Sequence, residues 1–398
     1  METDAKRIEE VFEILKRDTA AIYSTEAFKE MLYSGKRLRI KFGVDPSRPD
    51  MTLGHSVVLR KLKLLQELGH EIVFLIGDYT GMVGDPTGKS KTRPQLTFEQ
   101  TRANAQSYLE QVKKILNVAE TSIIYNSEWL AKLTFADTIK LMSKYTLARI
   151  LERDDFAKRY AENQPVGLHE LLYPLMQGYD SVALHADIEV GGTDQTFNLM
   201  VGRELQRDYG QPQQAVMTFP LLPGLDGFEK MSKSLDNYIG LDEPPELMFE
   251  KCMKAPDPLM GDYFRLTTDV PEADFRPLMA KDIREAHFAY AAEIVRLYHG
   301  QEAVGPAKSR YLEVAARKLP DIMDQKALPA GKDMNIVELL AAIGFASSNS
   351  DARRLVAGGG VKLDNEPVTD IAHVVKGEGE VVVSRGKNKF MKVVFGEK

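Results

Sequence analysis

Cysteine is nearly absent: Cys252 is the only one in 398 residues. An intrachain disulfide is therefore excluded, and so is any zinc site that needs several thiolates. The seven histidines show no H-E-x-x-H spacing, which removes the helical zinc-protease signature. No apolar run reaches the ~20 residues that a membrane-spanning helix requires. The start, Met1-Glu-Thr-Asp-Ala-Lys-Arg7, precedes no apolar segment of the kind a secretory signal carries. These absences predict a protein of the reducing cytoplasm with no membrane partner. Strong charge is missing too. A net charge of −6 argues against coating polyanions indiscriminately and leaves room for nucleic acid held by local patches. A phosphate loop is missing by one residue. Gly88-Lys-Ser90 is the tail of G-x-x-x-x-G-K-[ST], but the first glycine would fall at position 83, which is Val83.

What is present is the pattern of an open α/β protein with additions. The length predicts two or three domains. Residues 10–32 carry helical spacing. Arg37-Leu-Arg-Ile-Lys-Phe-Gly-Val44 reads as a strand leading into the proline-containing loop Asp45–Asp50. A helix follows from Thr52-Leu-Gly-His55, with Val58, Leu62 and Leu65 at i, i+4, i+7, and Gly69 stops it. Glu71–Gly77 is a continuous apolar strand, as expected where a parallel sheet is buried on both faces. Strand, helix, strand within about 40 residues is one βαβ unit. The Gly-rich stretch after it, with Asp85, suits either a pocket wall or a surface loop.

Two stretches carry the chemistry. The segment Tyr173–Asp180 reads as a helix, with Leu168, Leu171, Leu172, Leu175 and Met176 at the spacing of a buried stripe. Tyr173, Gln177 and Asp180 recur at i, i+4, i+7 on a face of their own. A phenol, an amide and a carboxylate aimed one way suit a polar pocket wall. Next, Ala186–Val190 reads as a strand that Gly191 and Gly192 end, with Thr193, Asp194 and Gln195 opening a helix. This is how an open α/β sheet builds a site at the carboxyl ends of its strands. Further on, the strand Ala215–Leu222 leads into Gly224-Leu-Asp-Gly-Phe-Glu-Lys230-Met-Ser-Lys233-Ser234. Two lysines and two serines after glycine-rich sequence are suited to charge developing on a triphosphate.

The remainder reads as helices over 244–320, a polar linker over 321–333 and a small α+β region over 334–398. In that last region Arg353, Arg354, Lys362, Arg385, Lys387 and Lys389 are candidates for one basic face.

With these segments in order, the chain resembles the class I aminoacyl-tRNA synthetases, and among them the bacterial tyrosyl type. Lys230-Met-Ser-Lys-Ser234 equals the family's second ATP motif. Thr52-Leu-Gly-His55 lies where the family carries His-x-Gly-His. Tyr173, Gln177 and Asp180 match its amino-acid helix, and Gly191–Gln195 its strand-end motif. The resemblance implies a Rossmann-like parallel-sheet catalytic domain over 1–243. Its helical insertion, about 126–165, would be a dimer surface. An α-helical anticodon-side domain over 244–320 and an S4-like RNA-binding domain over 334–398 would follow.

It further implies that ATP, carried with Mg²⁺, and L-tyrosine form tyrosyl-adenylate, and that tRNA(Tyr) takes the tyrosyl group; no protein-bound metal is expected. Thr52, His55, Lys230 and Lys233 would bind phosphates. Asp45, Ser47, Gly54, Gly192, Asp194, Ser232 and Ser234 would complete the nucleotide site, with Asp194 on the ribose. Asp85, Tyr173 and Gln177 would hold the substrate ammonium, Gln195 its carboxylate end, and Asp180 its phenol. Arg353, Arg354 and Lys362 would meet RNA. Two positions depart from the family. Thr52 replaces the first histidine and cannot carry charge. Lys41 stands where many members place a tyrosine beneath the phenol, so a cation would assist Asp180. The rival expectations are a tryptophanyl-type enzyme and a non-catalytic RNA-binding protein on a degenerate synthetase fold.

Overall fold

The computed structural model describes residues 2–46, 50–85, 96–316, 323–331, 333–386 and 389–396. Ser47, the Gly88-Lys-Ser90 segment and Lys387 lie outside the described residues. The described residues fall into two units, 1–243 with 254–290, and 244–253 with 291–398. The helices of 244–320 are thus shared between the two.

The first unit is built on a six-stranded sheet: β1 (Ala21–Tyr23), β2 (Arg39–Val44), β3 (Glu71–Ile76), β4 (Thr121–Tyr125), β5 (Ile188–Gly192) and β6 (Ala215–Phe219), in the order β1-β6-β5-β2-β3-β4. All neighbours are parallel except β1, which runs antiparallel to β6. The side chains of Ile72 to Ile76 are all buried, which is why β3 reads as an unbroken apolar run. The chain moves outward through β2, β3 and β4, then returns with β5 on the other side of β2. That reversal opens a crevice outside the carboxyl ends of β2 and β5, the place where such sheets bind ligands.

Three helices position the site: α1 (Leu53–Glu67), α2 (Leu168–Leu184) and α3 (Thr196–Asp208). On α1, Val58, Leu62 and Leu65 are buried as their spacing predicts. Helices α2 and α3 approach closely at Gly178, where an added Cβ would lie 2.8 Å from Leu205 Cδ1 and 3.2 Å from the Gly202 backbone nitrogen. The inserted helices are no detached lid, since Leu141, Ile150 and Phe156 share a core with Leu175, Val182, Val201 and Leu205.

Several expectations are corrected. Residues 10–32 form two helices, Glu2–Asp18 and Thr25–Tyr33, with β1 between them. A three-residue edge strand leaves too short a period to read. The α2 stripe fails at its start: Leu168 is 81% exposed, and Leu171 and Leu172 are only half-buried. Gly191 and Gly192 continue β5, pairing with Thr218 and Phe219. The stretch 321–333 is no linker, because Asp324–Pro329 forms a strand parallel to Lys389–Gly396. It lies at a sheet edge with mostly exposed side chains, so hydrophobic alternation is absent from its sequence.

In the second unit, helices Pro245–Cys252 and Val304–Ala315 pack together. A five-stranded sheet, ordered Glu366–Val368, Val361–Leu363, Gly379–Arg385, Lys389–Gly396, Asp324–Pro329, encloses a core with helices Ile336–Ala342 and Asn349–Ala357. No helix among the described residues is long and apolar enough to cross a membrane.

Because the Gly178 contact meets backbone as well as side chains, Gly178→Ala should force α2 and α3 apart. A loss of about 1–3 kcal/mol in urea unfolding is expected; an unchanged midpoint would mean that the two helices tolerate a wider spacing.

Candidate active site

The crevice at the β2/β5 reversal is a cavity of about 630 Å³, within the range of small-molecule sites. Its walls come from the ends of β2, β3 and β5, the start of α1, the polar face of α2 and the segment 230–234.

One side of it is a continuous chain of hydrogen bonds. Trp129 Nε1–H donates to Asp180 Oδ1 (2.8 Å) and Asn126 Nδ2 donates to Asp180 Oδ2 (3.2 Å). Asn126 Nδ2 also donates to Thr80 Oγ1 (2.9 Å), which donates to Asp45 Oδ1 (2.8 Å). Tyr173 Oη–H closes the chain on Asp45 Oδ2 (2.8 Å). Gly77 is what lets Asp45 and Thr80 meet, since a Cβ there would fall 2.0 and 2.3 Å from their bonded oxygens. Burial dominates the titration of these groups. It pushes the carboxyls of Asp180 and Asp45 up to about 7, and it raises the Tyr173 phenol well above its ordinary value.

Beneath this chain, Lys41 is fully buried against Glu189 (2.8 Å), facing it across the β2/β5 register. The ammonium also donates to Ser181 Oγ (2.9 Å) and to the Gln177 carbonyl (2.8 Å). Its three donors are thus taken by protein groups. Lys41, expected beside the substrate as a cation assisting Asp180, acts on Asp180 through its field, which opposes the effect of burial, with its own donors spent on the scaffold. Trp129 and Asn126 are the direct donors.

The other side carries the cations. Lys230 Nζ donates to Asp194 Oδ2 (2.7 Å), and Lys233 pairs with Asp50. The Ser232 and Ser234 hydroxyls are 2.8 Å apart. At the start of α1, the Thr52 backbone N–H donates to His55 Nδ1 (3.1 Å), and Thr52 Oγ1 lies 3.0 Å from the same nitrogen. An accepting Nδ1 leaves the ring proton on Nε2. Burial, and then the charge of Lys230, pull the His55 pKa down to about 4, so the ring is a neutral donor at pH 7. Gln195 Nε2 joins the two sides by donating to Asp85 Oδ2 (2.8 Å).

All the expected tyrosine and nucleotide residues that are described therefore line one cavity: Lys41, Asp45, Thr52, Gly54, His55, Asp85, Tyr173, Gln177, Asp180, Gly192, Asp194, Gln195, Lys230, Ser232, Lys233 and Ser234. Asp45, expected beside the nucleotide, accepts from Tyr173 in the same cavity. Sequence reasoning missed Thr80, Asn126 and Trp129, which hold the chain together, and Asp50. Asn126 directly follows β4, so the rule of strand carboxyl ends is the signal that marks it. Among the described residues no group of three or more His, Cys, Asp or Glu side chains is arranged to hold a metal ion. In the second unit, Arg353 and Arg354 are exposed on the Asn349–Ala357 helix and Lys362 is half-buried on its strand. Arg385 donates to the Phe345 carbonyl (2.6 Å), a bond within the fold.

Comparison with known proteins gives a consistent result. The family of class I tRNA synthetases (W and Y) matches residues 33–313, and the S4 domain matches residues 334–382. The chain is 48% identical to the tyrosine–tRNA ligase of Deinococcus radiodurans over 399 residues, covering 98% of this chain and 97% of that one. It is 48% identical to the tyrosine–tRNA ligase of Thermotoga maritima over 396 residues, covering 98% of each. Among solved structures, the Archaeoglobus fulgidus tyrosyl-tRNA synthetase complexed with L-tyrosine is similar at a TM-score of 0.61 and 25% identity, over 75% of this chain and 99% of that one. A C-terminally truncated mitochondrial tyrosyl-tRNA synthetase of Aspergillus nidulans shares the fold at a TM-score of 0.64 and 23% identity, over 78% of this chain and 97% of that truncated one.

The raised Asp45 carboxyl has a consequence for stability. The folded chain keeps a proton that the unfolded chain releases between 3.8 and about 7. The cost of burying the charge therefore accumulates as pH rises through that window and is complete above it. Asp45→Asn should stabilise the protein by about 1–3 kcal/mol at pH 8, less than the ~4 kcal/mol a fully dry site would give, and by nothing near pH 4. Unfolding midpoints of both proteins at each pH check this; a gain independent of pH would place its cause elsewhere.

Proposed function

The chain belongs to the class I tRNA synthetases of the tryptophan and tyrosine type, and from that premise we propose how its cavity makes it a tyrosine–tRNA ligase. The observation that carries the reading is the Asp180 carboxylate, buried at the cavity wall with one donor on each oxygen. Each oxygen keeps acceptor capacity, and a phenol is a donor of the right reach. An indole N–H can also donate to that acceptor, as Trp129 does, so the tyrosine reading is favoured over the tryptophan one by the 48% identity to tyrosine–tRNA ligases over nearly the whole chain. Phenylalanine leaves the carboxylate without its partner, a loss of several kcal/mol in a buried site.

The substrate ammonium lies against the Asp45–Tyr173 pair, Asp85 and Gln177, and Gln195 orients the carboxylate. A substrate carboxylate oxygen attacks the α-phosphorus of ATP, the bond to the bridging oxygen breaks, and pyrophosphate leaves with its electron pair. Magnesium travels with the nucleotide as part of that substrate. The residues contribute position and charge rather than a covalent nucleophile. Lys230, Lys233 and the His55 Nε2–H face the phosphates. Thr52 replaces a cation with a hydroxyl and fixes the tautomer of His55. Asp194 holds the ribose. A hydroxyl of the terminal adenosine of tRNA(Tyr) then attacks the tyrosyl carbonyl and AMP departs.

The S4 region, with Arg353, Arg354 and Lys362, serves as an RNA contact. The insertion exposes Phe135 (81%), Tyr160 (69%) and Leu147 (59%), and Leu168 at the start of α2 is exposed as well. So much uncovered apolar surface fits a second copy of the chain, and we assign the working form as a cytoplasmic homodimer.

Tyrosine-dependent ATP–pyrophosphate exchange tests the reading: tyrosine should support it, and tryptophan and phenylalanine should not. Asp180→Ala should cut the tyrosine-over-phenylalanine preference in that assay by at least about 10²-fold; an intact preference would move the phenol elsewhere. Truncation after Ala316 removes the small sheet together with its edge strand. It should leave exchange within about threefold and lower tRNA charging by at least about tenfold, as loss of phosphate contacts does. Equal charging would count against an RNA role for that region.

A further inference from the structure

The phosphate-binding reading of Lys233 leaves one carboxylate of the cavity without a role. Asp50 lines the wall between the end of β2 and α1, and its carboxylate accepts from Lys233 Nζ. The lysine side chain is 9% exposed while Asp50 is 45% exposed, so it is the lysine that has been drawn out of solvent. Its ammonium also lies 5.3 Å from the centre of the Tyr238 ring.

The backbone explains why groups 183 residues apart meet. Leu53 N–H donates to Ile239 O (2.8 Å) and Leu241 N–H to Met51 O (3.1 Å), which splices the start of α1 to the chain just beyond the lysine segment. The segment is folded on itself as well. Asn237 accepts from the Ser232 N–H (2.8 Å) and donates to the Lys230 carbonyl (3.2 Å). Asp50 is thus carried to Lys233 by a built connection, and its carboxylate faces the same ammonium that a nucleotide phosphate would need.

We propose that Asp50 is a positioning residue for this reaction: it clamps Lys233 to the cavity wall with a carboxylate that the ATP phosphates must replace. The proposal rests on the reading of the cavity as an ATP site. ATP entry then exchanges one anion for another on Lys233, with no net loss of lysine pairing. Asp50 has two opposed consequences. It orders the lysine segment, and it weakens nucleotide binding, because the pair must part and a carboxylate stays beside a polyanion. A side chain that merely supported the fold would not show this opposition.

The test uses the full-length chain with Asp50→Asn, Lys233→Met and the double variant. Asp50→Ser stands in should Asp50→Asn fail to fold. Chymotrypsin reports the segment through Phe228, which is 92% exposed, and Tyr238. Without nucleotide, each single variant should be cut in this segment about fivefold faster than the parent, the effect of losing a partly exposed ion pair, and the double variant no faster than either. Saturating ATP should protect the parent and Asp50→Asn equally. In pyrophosphate exchange, Asp50→Asn should lower KM for ATP about threefold and leave kcat within about twofold. Equal cleavage of parent and Asp50→Asn, or a raised KM for ATP, overturns the clamp. A cleavage difference that persists while ATP protects neither protein sustains the clamp and overturns the nucleotide reading instead.

Discussion

Asn126 commits its whole amide to the cavity. Its carbonyl accepts the Tyr79 N–H (3.0 Å), and its two N–H groups go to Thr80 and Asp180. A buried amide with every partner satisfied cannot turn without orphaning polar groups, so it fixes its neighbours. Through it the end of β4 sets Asp180 on α2 and, by way of Thr80, Asp45 at the end of β2. Three elements are brought into one geometry by one side chain. The phenol recognition proposed for Asp180 rests on that geometry more than on any single contact.

Below it lies a second tier with a different logic. Lys41 and Glu189 sit opposite each other on adjacent strands, both buried, with Ser181 and Gln214 completing the acceptor side. A buried ion pair offers little net stability by itself, since desolvation offsets the Coulombic gain. What it provides is position. The ammonium ties the α2 backbone at Gln177 to the sheet, and its charge opposes burial at Asp180. In sequence this lysine read as a cation assisting Asp180; in the fold its donors are spent on the scaffold and its charge still acts on that carboxyl.

The central sheet was legible because its strands are continuous apolar runs and its helices have period 3.6. The site was legible where polar residues repeat on one helix face, as Tyr173, Gln177 and Asp180 do. Two strands were hidden for a physical reason: Ala21–Tyr23 and Asp324–Pro329 both lie at sheet edges, where burial imposes little pattern. Asn126, Trp129 and Asp50 were hidden for another. Their partners are 54, 51 and 183 residues away, and no local spacing encodes such pairings. Leu168 shows the limit from the other side, since helical periodicity identifies an apolar face without saying whether this chain covers it.

The lone tryptophan of the chain donates its indole hydrogen to Asp180, the carboxylate proposed to read the substrate. The protein therefore contains an optical reporter bonded to the wall of its cavity. Excited at the red edge of absorption, where its fifteen tyrosines stay dark, its emission comes from one place. Occupancy and protonation there are open to view in the unmodified molecule, with no dye or radiolabel.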